Sequence, residues 1–377
     1  MRISRHHSAT SLSEVQWKVA RTGALRPSKT NRETEGKGLG KRHSDCFQQD
    51  TMDHTTIHKP SSSPRPSARA LDLPLGHVVA NRYELREELG RGAMGVVYRA
   101  LDRQNQRLVV LKVVRHNADE SLLADRFERG TRILLGLNHP AISKAEGCGR
   151  SADYHYVVMR DLPGISVLDA LNARLRFPGM LAARLVASLC EGLAYLHASG
   201  IVHRDVKPGN VILTGPRGAE SLVLIDFDLA KHAAPNLEDS GRFSRSMVLN
   251  RLSTAGCLSG TPIYMSSERL RGETATPEAD VYAAALVLYQ MICGELPTRG
   301  EAHRSVAALL SARLIPVASP AERGVSLAPQ LERVLLKALS PTQSERYPSA
   351  AAFASDLRRA IRLLTLAPRA IHAQNPR

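Results

Sequence analysis

IVHRDVKPGNVIL (201–213) places apolar residues at both ends of a polar centre, the pattern of a loop that leads into a short strand. Asp205 and Asn210 stand five apart in that loop, with Lys207 between them. A carboxylate can take or orient a hydroxyl proton, a lysine can neutralise a transferring phosphoryl group, and an asparagine carbonyl can ligate Mg²⁺. A polar loop could match this pattern by chance, but the number of positions fixed at once makes chance the weaker explanation.

Upstream, LGRGAMGVVY (89–98) carries Gly90, Gly92 and Gly95 in G-x-G-x-x-G spacing. A glycine-rich hairpin turn would explain it alone. Strand patterns lie on both sides, YELREELG (83–90) and GVVYRALD (95–102), whereas a dinucleotide-binding fingerprint opens a helix. Glycines at a hairpin tip let backbone N–H groups approach phosphate oxygens closely. A third strand, RLVVLKVV (107–114), holds Lys112 in its most apolar part, which is costly unless the ammonium meets an anion. A lysine reaching solvent from a strand edge is the plain alternative. Downstream, LVLIDFDLAK (222–231) is an apolar strand that ends in Asp226 and Asp228. Acids often mark the end of a buried strand, so this run takes its meaning from the others.

The chain has 377 residues, enough for one two-lobed domain with tails. Residues 1–80 are rich in Ser, His, Arg and Pro without an apolar period, and are expected to form a disordered basic tail. After it come three strands and a helical pattern over 119–137 that stops at Asn138-His139-Pro140. YHYVVMRD (154–161) reads as a further strand. From Pro163-Gly164 onward the chain is mostly helical, with Leu181, Leu185, Leu189, Leu193 and Leu196 on one stripe of 178–199, followed by helices over 277–293, 328–339 and 348–364. The fold class expected is α+β: a small antiparallel-sheet lobe with one helix over about 81–161, and a larger, mainly helical lobe over about 164–365, with a cleft between. Residues 366–377 are a short tail.

The net charge is +15, and residues 1–80 carry 13 Lys/Arg against 7 Asp/Glu, leaving +9 for the rest. Those basic residues form no run interleaved with aromatics, so nucleic acid is not expected as a partner. The five cysteines, Cys46, Cys148, Cys190, Cys257 and Cys293, are scattered and odd in number, which fits a reducing cytoplasmic setting better than a disulfide framework. No signal-peptide core is visible, and VYAAALVLYQMIC (281–293) is too short to span a bilayer, so no membrane span is expected.

Taken in order, these motifs resemble those of bacterial eukaryotic-like (Hanks-type) serine/threonine protein kinases, over about residues 82–365. The resemblance implies ATP and Mg²⁺ as cofactors, protein serine and threonine hydroxyls as substrates, and a protein-kinase-like fold. Asp205, Lys207 and Asn210 are then catalytic, and Asn210 and Asp226 hold the metal. Gly90, Arg91, Gly92, Ala93, Gly95 and Val97 cover the nucleotide. Val110, Lys112, Met159, Asp161 and Ile212 complete its site, with Met159 behind adenine and Arg160 to Leu162 as the hinge. GTPIYMSSE (260–268) resembles the end of the activation segment, with Ser267 where the family has proline. Asp280 corresponds to the acid that braces the catalytic loop, and Arg346 to the arginine that pairs with Glu268.

Two further positions depart from the family. Asp228 stands where the family has glycine, and is expected to be tolerated, with Asp226 the one working acid. Gly130 stands where the family has the helix glutamate that pairs with the strand lysine, so Lys112 lacks its usual partner. Glu128 is about 200° around the helix from that position and points away. On this reading Gly130→Glu would supply a carboxylate and stabilise the helix by roughly 1 kcal/mol, and Asp228→Gly would keep or raise activity. Loss of activity in Asp228→Gly would instead mark Asp228 as a working acid, a substitute partner for Lys112 or a second metal contact. The two departures also motivate a different reading, a pseudokinase that binds nucleotide as a scaffold. A small-molecule phosphotransferase of the aminoglycoside-kinase type is disfavoured by GTPIYMSSE and Arg346.

Overall fold

The computed structural model describes residues 73–92, 95–115, 121–151, 153–232 and 261–366, with backbone alone for 121–126, 231, 232 and 261. The first lobe is built on period-two burial. In β3 (Gly95–Asp102) the residues Val96, Tyr98 and Ala100 are buried, while Val97 and Arg99 between them are half-buried on the other face. Strand β4 (Arg107–Arg115) does the same with Val109, Leu111 and Val113 inside and Val110 and Lys112 on the opposite face. Together with β1 (Val78–Val79), β2 (Tyr83–Gly92), β5 (Ala145–Arg150) and β6 (Tyr154–Arg160), they form an antiparallel sheet of order β1-β2-β3-β4-β6-β5. Register shifts in β2 between Leu85 and Glu87 and between Glu88 and Gly90 bend that strand towards its glycine-rich end. Asp102, 1% exposed, closes the β3–β4 turn: it accepts from Arg82 Nε and Nη2, both at 2.8 Å, and from Asn105 Nδ2 at 2.8 Å.

The lobe starts earlier than the sequence pattern suggests, because Val79 is fully buried in its core and Leu73 packs against it. Gly76 N–H donates to Leu85 O, and Leu85 N–H donates back to His77 O. The boundary expected at residue 80 is therefore corrected to about 73, and residues 1–72, the remainder of the expected tail, lie outside the described residues. A chain beginning at Ala80 should melt several degrees below one beginning at Leu73, since it loses Val79 and the edge strand. Equal melting curves by calorimetry would show that residues 73–79 contribute nothing.

Helix α1 (Ser121–Leu135) lies against this sheet, with Phe127, Ile133 and Leu134 buried. Its inner residues belong to the same apolar cluster as the second lobe, which also includes Leu224 and Phe227. The chain then enters β7 (Gly164–Ser166) and α2 (Val167–Asn172), which Ser166 caps by accepting from Asp169 N–H at 3.0 Å. Helix α3 (Gly179–Ala198) buries Leu185, Leu189, Leu193 and Leu196, while Leu181 at its start is half-buried. Among the described helices α3 alone is long and apolar enough to cross a membrane by length and composition, with 56% of that window buried. The expectation of no membrane span rested on 281–293, whereas α3 is the helix that meets these criteria.

The short strand β8 (Ile201–Val202) follows, then β9 (Val211–Thr214) and β10 (Ser221–Leu224), which pair as β10-β9-β7, while β8 pairs with β11 (Lys231–His232). These small sheets carry the two loops that bear Asp205 and Asp226. Beyond residue 261 come α4 (Ser267–Leu270), α5 (Pro277–Cys293), α6 (Val306–Arg313), α7 (Pro329–Ala338) and α8 (Ala350–Leu366). Helix α5 is apolar around almost its whole circumference and is buried as a result. Pro277 starts it and Gly294, at φ +79°, ends it.

Candidate active site

The roof of the cleft is the β2–β3 hairpin. Gly95 has φ +127°, and an added Cβ would lie 2.2 Å from Val113 O, so only glycine fits there. Gly90 and Gly92 have open space around them, leaving their peptides free to approach a ligand. Arg91 pairs with Glu88 at 2.7 Å. Ala93 lies outside the described residues. Val97 sits opposite Lys112 in the ladder, and Val110 opposite Met159, so these four share the face turned away from the lobe core. Met159 packs against the larger apolar cluster. Asp161, just past β6, has its carboxylate on Arg99 Nε at 3.2 Å, and Ile212 is half-buried on β9 beneath Gly164.

The floor is the loop read first in the sequence. Lys207 Nζ and Asn210 Nδ2 reach Asp205 Oδ2 at 2.7 and 3.0 Å, and Asn210 Nδ2 also donates to Asp205 O at 2.9 Å. The other oxygen, Asp205 Oδ1, is buried with no hydrogen-bond partner. A buried carboxylate oxygen held in place and left unpaired is costly unless a donor arrives. The loop itself is braced from below by Asp280, which accepts from His203 N–H at 2.8 Å, Arg204 N–H at 2.9 Å and His197 Nε2 at 3.0 Å. These bonds hold Arg204 at φ +71°, a conformation disfavoured for a non-glycine residue. His197 was not singled out in the sequence, since a histidine in the last turn of an apolar helix carries no signal of its own.

Lys112 joins roof and floor. Its ammonium donates to Asp226 Oδ1 at 2.9 Å and also directly to Asp228 Oδ2. The expected partnerless lysine thus has two carboxylates, and the reading of Asp228 as passive is overturned by that contact. Glu128 does point away, onto His155 Nδ1 at 3.3 Å. Gly130 is where the basis for a glutamate substitution fails: an added Cβ would lie 2.7 Å from Phe227 O and 3.1 Å from Phe227 C. Helix α1 touches the backbone of the Asp226–Asp228 turn directly, so a side chain there would strain the packing instead of stabilising it. Phe227 is buried, with its ring edge-on to His203 at 4.9 Å.

Burial alone would push Lys112 down, but Asp226 and Asp228 outweigh it and keep the ammonium charged. Burial and then the neighbouring Asp226 charge push Asp228 up, while Lys112 holds Asp226 below the usual carboxylate range against the effect of burial. One ammonium therefore serves two carboxylates, of which Asp226 is the more exposed. Asn210 and Asp226 add only oxygen donors, and no cluster of three or more His, Cys, Asp or Glu suited to a metal occurs among the described residues. A hard divalent cation that takes one or two protein oxygens and fills the rest of its shell from phosphates fits such a site.

The far wall carries Glu268, whose Oε1 meets Arg346 Nη1 at 2.8 Å with both side chains almost fully buried. Tyr282 lies between two guanidinium groups, Arg346 at 4.6 Å and Arg313 at 5.5 Å from its ring centre. Arg313, which sequence reasoning did not single out, also donates to Ile263 O. Arg204 Nε and Arg129 Nε are buried without hydrogen-bond partners. Burial first, then the nearby Arg269 charge, bring Arg204 down to about 10.

The protein kinase domain model matches residues 83–357. The chain is 33% identical over 284 residues to the serine/threonine-protein kinase PknB of Mycolicibacterium smegmatis, and 32% identical over 284 residues to that of Mycobacterium tuberculosis. Each match covers 74% of this chain and 43% of the relative. It is 30% identical over 290 residues to the serine/threonine-protein kinase pkn3 of Myxococcus xanthus, covering 76% of this chain and 51% of that one. The chain thus spans about half, or less, of the length of these relatives.

Proposed function

The chain belongs to the protein kinase family, and from that premise we propose that it transfers the γ-phosphoryl group of ATP to serine and threonine hydroxyls of proteins. The observation that carries this reading is Asp205 Oδ1, buried and unpaired beside an oxygen fixed by Lys207 and Asn210. In this reading Asp205 Oδ1 accepts the proton of the substrate hydroxyl and Lys207 meets the charge that develops on the phosphoryl oxygens. Lys112 holds the nucleotide phosphates, and the open peptides of Gly90 and Gly92 cover them. Asn210 and Asp226 are the residues that would hold Mg²⁺, which when bound neutralises charge on the phosphates. The pseudokinase reading rested on Gly130 and Asp228, and loses its motive because Asp228 supplies what Gly130 lacks. A cytoplasmic setting is part of the proposal, supported by Cys148, Cys190 and Cys293 being free thiols.

Incubation with Mg-ATP and a generic basic protein substrate, followed by intact mass, tests the reading. Gains of one phosphate mass on substrate or on the chain itself are expected. No gain on either would overturn it.

Regulation follows from the arginines. Two guanidinium groups, from Arg269 and Arg129, add to burial in depressing Arg204, and an anion would offset that repulsion. We predict autophosphorylation in the serine-rich stretch containing Ser240, Ser244 and Ser246, and above all at Ser253, Thr254 or Ser259, all of which lie outside the described residues. Peptide mapping after autophosphorylation checks it, and phosphate confined to residues 1–72 would remove the idea.

A further inference from the structure

We propose that Asp228 is the positioning carboxylate for Lys112, and that Gly130 and Asp228 are one coupled exchange. The acid that orients the phosphate-binding lysine sits in this chain on the turn after β10, and helix α1 gives up its side chain to let that turn approach. The inference rests on the phosphotransferase reading above, which supplies the nucleotide whose phosphates Lys112 meets.

Two observations carry it independently. One is the contact itself. Of the two acids on Lys112, Asp226 is 32% exposed, whereas Asp228 and Lys112 are 13% and 11% exposed. Asp226, at φ +67°, is the more exposed of the two, and Asp228 the more enclosed. When Asp226 engages a cation, Asp228 is the acid left to Lys112. The other observation is the fit of α1. Gly130 lies over the Phe227 peptide so closely that a Cβ would stand 2.7 Å from Phe227 O and 3.4 Å from Asp228 Cα. The space a helix carboxylate would need is filled by backbone, which cannot swing aside as a flexible side chain could. Glu128, the nearest helix acid with a described side chain, is committed to His155.

The arrangement has a mechanical consequence. Where the lysine's partner sits on the helix, swinging the helix outward breaks the pair. In this chain the pair and the metal-holding acid share one three-residue turn, so a movement of Asp226–Phe227–Asp228 removes both together. A movement of α1 alone leaves the pair closed. Without Asp228, Lys112 has only Asp226 to bind, and lysine then competes with the cation for the same oxygens.

Four variants test this: Asp228→Asn, Asp228→Gly, Gly130→Glu and the double Gly130→Glu/Asp228→Gly. The readouts are turnover and the affinity of a fluorescent ATP analogue titrated over Mg²⁺ concentration. Asp228→Asn keeps the shape and removes the charge. It should lower turnover on the order of 10- to 100-fold and raise the Mg²⁺ concentration for half-maximal nucleotide binding by about tenfold. Each single variant should be impaired, and the double should exceed the product of the two singles by about tenfold or more, because glycine at 228 frees the turn's backbone to shift off helix α1 and admit the carboxylate. Wild-type behaviour of Asp228→Asn in both readouts would overturn the proposal, as would a double variant no better than that product. If Gly130→Glu does not fold, Asp228→Asn and its Mg²⁺ dependence decide the matter alone. If the wild type binds nucleotide but transfers nothing to any protein, the phosphotransferase reading fails while the Mg²⁺ titration still judges Asp228.

Discussion

Replacing Asp226 with alanine should leave a folded protein that no longer transfers phosphoryl groups. Asp226 is the more open of the two acids on Lys112, and its side chain is no part of the apolar core. Its loss removes the carboxylate that would hold a divalent cation, and turnover should fall on the order of 10³-fold or more. The fold should survive, because Lys112 keeps Asp228 as its carboxylate partner. Alanine at φ +67° carries some backbone strain, so Asp226→Asn is the matched variant, with a side chain that tolerates that region. Both should lose turnover, and Asp226→Asn should keep the wild-type melting temperature. Retention of more than about a tenth of turnover would show that another group holds the cation. A collapse of the melting temperature in Asp226→Asn would show that Asp226 acts mainly as a structural anchor. The contrast with Asp228 lies in the metal dependence, since the Asp228 variant should recover nucleotide binding at high Mg²⁺ and the Asp226 variants should not.

The parts of this site that were legible in the sequence are those that depend on local pattern. Helix α5 was readable to the residue, because Pro277 and Gly294 punctuate an unbroken apolar run. Strands β3 and β4 were readable from alternation and from the apolar run around Lys112. Strand β5, AEGCGR, was not, since its place in the sheet comes from pairing with β6 and not from its own composition. Strand β1 is two residues long and is ordered by β2, which is why the tail seemed to run to residue 80. The loop at 201–213 could be read because Asp205, Lys207 and Asn210 lie close together in the chain. The partner of Lys112 was legible only as the alternative to a tolerated Asp228, since Asp228 is 116 residues away and reaches it through a left-handed Asp226. Gly130 misled for a related reason. A helix-interior glycine reads as a cost of roughly 1 kcal/mol, and only the backbone opposite shows that it is a packing requirement.

Arg346→Ala should destabilise the fold by about 3–5 kcal/mol, because it strands a buried charge. Arg346 and Glu268 have side chains 1% and 2% exposed and meet at 2.8 Å. Arg346 also donates to Ser340 O at 2.8 Å and Pro341 O at 3.2 Å, and stacks over Tyr282. A surface pair would be worth about 0–1 kcal/mol, so the magnitude separates the two descriptions. The pH dependence sharpens the test. Burial pushes Glu268 up, but Arg346 outweighs it and holds the carboxyl below its ordinary value. The folded value then lies below the unfolded one. In the wild type the pair contributes fully above the unfolded carboxylate range and is lost as pH falls through the folded value. Without Arg346 only the remaining hydrogen bonds to Glu268 still oppose burial, so the folded value moves up and the stability gained above it shrinks. The gap between wild type and Arg346→Ala, measured by urea denaturation, should therefore be wide near neutral pH and narrow towards acid. The double variant Glu268→Gln/Arg346→Met removes both charges and should recover part of the loss. A gap below about 1 kcal/mol that stays flat with pH would show that the pair is not desolvated, and that the wall holding the end of the activation segment is fixed by Arg313 and Tyr282 instead.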